Sequence, residues 1–110
     1  MITLRELCNH ASVTRRAIQC YEGKGLVKAV GKNKMGHLLY EEDAIEQVNL
    51  IKFYQSIGFT LKDIKSFETM KSDDFKKLMG EKIVDLQNES ILLEDKIRKL
   101  SSIIDELNNY

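Results

Sequence analysis

The sequence predicts a mainly α fold in two parts. A winged helix-turn-helix domain covers residues 1–71, with a small β-hairpin as its wing, and a long dimerising coiled-coil helix covers residues 72–110, with no separate effector domain. Three observations carry this reading. The segment Thr14-Arg15-Arg16-Ala17-Ile18-Gln19-Cys20-Tyr21-Glu22 lies between a Ser12-Val13 turn and the glycines Gly23 and Gly25, which makes a short basic helix with its own start and stop. Apolar residues on either side of Gly31-Lys32-Asn33-Lys34-Met35-Gly36 mark a hairpin with a basic tip. From about Asp73 onward, Ile and Leu recur at heptad spacing with no proline and a single glycine, Gly80.

In chain order, Thr3-Leu4-Arg5-Glu6 is a capping box that starts a first helix running to about residue 10, with Ile2, Leu4, Leu7 and Ala11 on its apolar side. A second helix starts at Thr14, whose hydroxyl can satisfy a backbone N–H of the first turn, and two short helices joined in this way form a helix-turn-helix. Val27 and Val30 before the loop, and His37-Leu38-Leu39-Tyr40 after it, supply the strands of the wing. Glu41-Glu42-Asp43 suits the positive end of a helix dipole, and Ile45, Val48, Ile51 and Tyr54 mark one face of that third helix until Gly58 ends it. Thr60-Leu61-Lys62-Asp63, with Asp in place of Glu, approaches a second capping box and opens a short helix carrying Leu61, Ile64 and Phe67.

The last segment places Ile83, Ser90, Ile97 and Ile104 at heptad position a, and Leu86, Leu93, Leu100 and Leu107 at d. A helix of about 35 residues would be roughly 50 Å long, more than the amino-terminal helices can cover, so much of the stripe must meet a second chain rather than fold back on its own domain. The expected dimer seam is therefore Ile83, Leu86, Leu93, Ile97, Leu100, Ile104 and Leu107, with Ser90 as a register-setting or merely tolerated polar residue.

Charge is unevenly divided. Residues 1–40 hold seven Lys/Arg against Glu6 and Glu22, a net +5, and residues 41–110 hold ten against fifteen Asp/Glu, a net −5. A basic half that neutralises phosphates is joined to an acidic half that a duplex would repel. The chain has no phosphate-cradling glycine loop, nucleophile motif or convergent carboxylate pair, and 110 residues leave little room for a cleft, so neither enzymatic activity nor a cofactor is expected. Nothing approaches a membrane span or a signal peptide, which places the protein in the cytoplasm away from membranes, and two cysteines fit a reducing compartment.

At this point the chain resembles the MerR family of bacterial transcription regulators over essentially its whole length. Three stretches carry the resemblance, in family order and spacing: Val13-Thr14-Arg15-Arg16-Ala17-Ile18-Gln19-Cys20-Tyr21-Glu22-Gly23-Lys24-Gly25-Leu26, Gly36-His37-Leu38-Leu39-Tyr40, and Ile57-Gly58-Phe59-Thr60-Leu61-Lys62-Asp63-Ile64. The resemblance implies a homodimer whose long helices pair antiparallel and hold two winged domains at successive turns of a pseudo-palindromic promoter. It also implies that the DNA between half-sites is distorted, and that double-stranded DNA, a second copy of the chain and RNA polymerase are the partners. Thr14, Arg16, Tyr21 and Tyr40 fall on positions that contact DNA in the family; Arg15, Lys32 and Lys34 are expected to add salt-sensitive contacts.

The sequence departs from the family pattern in places. Gln19-Cys20 stands where the family has Arg-Tyr, and His37-Leu38 where it has Tyr-Arg, which removes two cations. These losses motivate an alternative, a dimeric protein-interaction module on a winged-helix scaffold with weakened DNA binding. Tyr21 and Tyr40 read equally as phosphate donors or as core aromatics with their hydroxyls at the rim. Cys8, His10, Cys20 and His37 have poor spacing for an ion, so no metal is expected; both cysteines read as small buried hydrophobes, with an exposed, oxidisable Cys20 as the alternative. A small apolar ligand near Phe67, Met70, Phe75 and Met79 is a further alternative to ordinary core packing.

Overall fold

We describe a computed structural model covering residues 1–109; Tyr110, the last residue of the expected coil, lies outside the described residues. Helix α1 (Leu4–Ala11) starts at the capping box, where Thr3 Oγ1 accepts the Glu6 backbone N–H at 3.2 Å and the Glu6 carboxylate accepts the Thr3 N–H at 3.1 Å. Those bonds hold the Glu6 carboxyl below its ordinary range. Ser12 then takes a left-handed conformation (φ 54°), which ends α1 and lets α2 (Arg15–Gly23) begin after three residues. Thr14 caps α2 by accepting the Ala17 N–H at 3.1 Å.

Gly25, rather than Gly23, reverses the chain after α2. It sits at φ 72°, and a Cβ there would come within 3.2 Å of the Lys65 ammonium, which donates to the Gly25 carbonyl at 3.0 Å.

The wing differs from the expected hairpin in two respects. Strands β2 (Gly31–Lys32) and β3 (Leu38–Tyr40) pair antiparallel, but a third strand, β1 (Ile2–Thr3), pairs with the other edge of β3, in the order β1-β3-β2. The first wing strand lies later than expected: Val27 is buried outside any strand, and Val30 is exposed with its N–H donated to the Leu39 carbonyl at 2.8 Å. At the tip, Asn33 Oδ1 accepts the N–H groups of Met35 and His37, both at 3.0 Å, so one side chain organises the loop.

Helix α3 (Ala44–Ser56) follows the acidic run, although Asp43 makes no side-chain capping bond. It buries Ala44, Val48 and Ile51 and packs against α1. Helix α4 (Leu61–Ser66) has the complete Thr60–Asp63 capping box and buries Ile64. Tyr54, Phe59 and Phe67 stack edge to face at centroid separations of 5.1 to 6.1 Å. The core centres on Leu7, Ile18, Tyr40 and Val48.

Lys52 supplies a tie that periodicity does not reveal. Its ammonium donates to the Ala11 carbonyl at 2.6 Å, placing a half-buried cation at the negative end of α1. Lys52→Met should lower unfolding stability by about 1–2 kcal/mol in urea titration, whereas Lys62→Met, on the exposed side of α4, should leave it unchanged within about 0.5 kcal/mol.

The chain divides into two compact units, one from Met1 to Thr69 and one beginning at Met70. The second consists chiefly of α5 (Ser72–Asn108), whose 37 residues span roughly 55 Å at a 1.5 Å rise. No helix among the described residues is long and apolar enough to cross a membrane.

Candidate nucleic-acid interface

Helix α2 is divided by its own periodicity. Ile18 and Tyr21 point into the core, and at about 100° per residue the direction opposite them passes equally close to Arg16 and Gly23, with Gln19 and Cys20 on either side. All four are exposed, as are Thr14 and Arg15. Among the described residues, neither the Arg15 nor the Arg16 guanidinium pairs with a carboxylate. An exposed helix face carrying unpaired Arg16 at its centre is chemically suited to phosphate oxygens or to guanine O6 and N7. Thr14 spends an acceptor on capping and keeps its hydroxyl proton free to donate.

Cys20 belongs to this exposed face, which corrects the expectation that it is a buried hydrophobe. It lies about 200° around the helix from Ile18, so the turn that buries Ile18 turns the thiol outward. Cys8 is half-buried.

The two tyrosines take the core alternative. Tyr40 is fully buried and Tyr21 nearly so. The Tyr21 hydroxyl donates to Gln55 Oε1 at 3.1 Å, and the Tyr40 hydroxyl donates to the Glu22 carboxylate. Burial raises both phenols above their ordinary value, with the Glu22 carboxylate adding to the rise at Tyr40. The bonds tie consecutive residues of α2 to α3 and to β3, so these side chains fix how the exposed face of α2 is presented.

A phenol whose folded-state pKa is raised contributes stability that is complete below the unfolded value of 10 and is lost as pH rises beyond it. Urea titrations between pH 8 and pH 11 should therefore show stability declining above about pH 10, and Tyr40→Phe, about 1–2 kcal/mol less stable at neutral pH, should decline less steeply.

Lys32 and Lys34 are exposed on the wing. Arg15 lines a cleft with Arg5 and His37, two residues that the sequence does not assign to DNA contact. In α5 the seven seam residues are 39% to 68% exposed in the single chain, and α5 buries none of its residues. Val84, Ile91, Leu92 and Ile103 widen this apolar surface beyond the a and d positions. Phe67 belongs to the aromatic cluster of the first unit, as core packing requires.

Residues 2–71 match the family described as MerR HTH family regulatory protein. The chain belongs to the MerR family. This is a family of DNA-binding transcriptional regulators and not of enzymes. The chain is 29% identical to the HTH-type transcriptional activator SoxR homolog of Chromobacterium violaceum, over 98% of this chain and 72% of that protein. A MerR-family transcriptional regulator from Bacillus cereus superposes with a TM-score of 0.67 at 25% identity, covering 96% of this chain and 78% of that one. HiNmlR, a MerR family regulator lacking the sensor domain and bound to promoter DNA, shares the fold at a TM-score of 0.52 and 20% identity, covering 96% and 83% of the two chains. The chain also matches the nodulation protein NolA of two Bradyrhizobium strains and spans 25% and 45% of their lengths.

Proposed function

We propose that this MerR-family regulator acts in the cytoplasm as a homodimer on a pseudo-palindromic promoter. Pairing of the α5 seams, antiparallel, sets the two α2 helices at successive turns of the duplex and distorts the DNA between them, where RNA polymerase then reads the altered promoter. The observation that carries this reading is the exposed face of α2, with an unpaired Arg16 at its centre and a basic wing in the same unit. Arg16 reads a base edge or grips the backbone, Thr14 donates to a phosphate at the helix start, and Arg15, Lys32 and Lys34 contribute sequence-independent attraction. The hydroxyls of Tyr21 and Tyr40 hold α2 in place and are not needed on phosphate. Gln19, counted above as a lost cation, lies on the exposed face and has the paired donor and acceptor that suit adenine N6 and N7.

The seam residues contribute by burial. An aliphatic side chain taken from water contributes about 1.5–3 kcal/mol before entropy costs, so seven of them in each of two chains outweigh the loss of freedom on association. An apolar surface of this extent left open would drive aggregation.

Selection of binding sites from random duplex DNA with the purified chain tests the proposal. An enriched inverted repeat, bound with an affinity that falls steeply as salt rises, is the expected result. If no sequence is enriched at low salt and the chain captures a protein partner without salt dependence, the protein-interaction module motivated by Gln19 and Leu38 is the better account.

A further inference from the structure

We infer that the cleft lined by Thr3, Leu4, Arg5, Arg15, His37 and Leu38 is a phosphate clamp that grips one backbone phosphodiester of the bound DNA. This inference rests on the DNA-binding reading above and adds two residues to it, Arg5 and His37. The cleft encloses about 550 Å³ and draws on three parts of the first unit: the β1–α1 start, the first residue of α2, and the wing at β3.

Its chemistry is one-sided. Two guanidiniums and an imidazole line it, no carboxylate does, and among the described residues none of the three side chains has a hydrogen bond or ion pair. A phosphodiester supplies the counter-charge that the cleft lining lacks. Arginine presents a planar fork of donors that matches two phosphate oxygens, and an imidazole N–H adds a third donor. The apolar walls, Leu4 and Leu38, strengthen the field in the cleft. The opening turns of α1 and α2 contribute partial positive charge as well.

A phosphate of the duplex is favoured over a free anion because Arg15 immediately precedes Arg16 on α2, so the cleft adjoins the face proposed to meet DNA. The clamp also accounts for a departure from the family pattern. Leu38 stands where the family has a wing cation and is half-buried; Arg5 brings a positive charge from α1 to the same edge of the wing.

Equilibrium binding of the full chain to its selected duplex, across a salt series, tests the clamp. Arg5→Ala should weaken binding about tenfold, to the same extent on selected and scrambled duplexes, and flatten the log–log salt slope by about one per chain. Arg5→Lys should keep the slope and lose part of the affinity. Arg5→Ala combined with His37→Ala should lose less than the product of the two single losses, because both act on one phosphate. Unchanged affinity and slope in Arg5→Ala, with binding still lost in Arg16→Ala, would overturn the clamp and leave the DNA-binding reading intact. A wild-type chain that binds no duplex at any salt would overturn both. Arg5 is exposed, so the variant's melting temperature should match wild type.

Discussion

Arg16→Ala weakens binding to the selected duplex from about thirtyfold to about twenty-thousandfold, the largest loss expected from any single residue on the exposed face of α2. A side chain that reads a base edge with two hydrogen bonds is worth about 1–3 kcal/mol, and a dimer loses it twice. The loss should be concentrated on the selected sequence, so that the mutant approaches its affinity for scrambled DNA. Arg15→Ala should weaken both duplexes alike, as loss of a phosphate contact does. Arg16 is exposed and has no carboxylate partner among the described residues, so the melting temperature should not move. Fluorescence anisotropy on the two duplexes separates these effects. Equal affinity of Arg16→Ala and wild type for the selected site would remove α2 from the interface.

The second large effect concerns the coil. Ile97→Glu places a carboxylate in mid-seam, where the other chain is proposed to cover a side chain that is 62% exposed in the single chain. Burying that charge twice per dimer has no compensating partner, so the variant should sediment as a monomer at concentrations where wild type is a dimer. Each monomer then meets one half-site alone, and without the linked second contact operator affinity should fall by about 10² to 10⁴. Arg98→Glu, the next residue and 73% exposed by side chain, should leave the dimer intact. A dimer retained in Ile97→Glu would show that the a and d stripe is not the interface.

Much of this arrangement was legible in the residues because its signals are local. The Thr3–Glu6 and Thr60–Asp63 boxes set helix starts within one turn, and the heptad spacing runs without a slip, with Ile or Leu at every a and d position but Ser90. Strand β1 was not legible, since two residues carry no period and Ile2–Thr3 becomes a strand only because the free edge of β3 lies beside it. The same limit hid the Lys52 bond to Ala11, which joins residues 41 positions apart, and the cleft that gathers Arg5, Arg15 and His37 from distant parts of the chain. Tyr21 and Tyr40 were ambiguous for another reason: a phenol suits a phosphate and a core rim equally well, and only Gln55 and Glu22 beside them decide. For Cys20, hydrophobic character pointed inward, whereas the phase of α2 set by Ile18 and Tyr21 points it outward.

Two copies of the chain are proposed to read two half-sites at once. The most direct measurement compares the affinity and stoichiometry of the wild-type chain on a duplex holding the full selected repeat with those on a duplex holding one half and a scrambled remainder. The expected result is two chains per full duplex and an affinity at least about a hundredfold tighter than for the half-site duplex. Equal affinity for the two duplexes, with one chain on each, would contradict it.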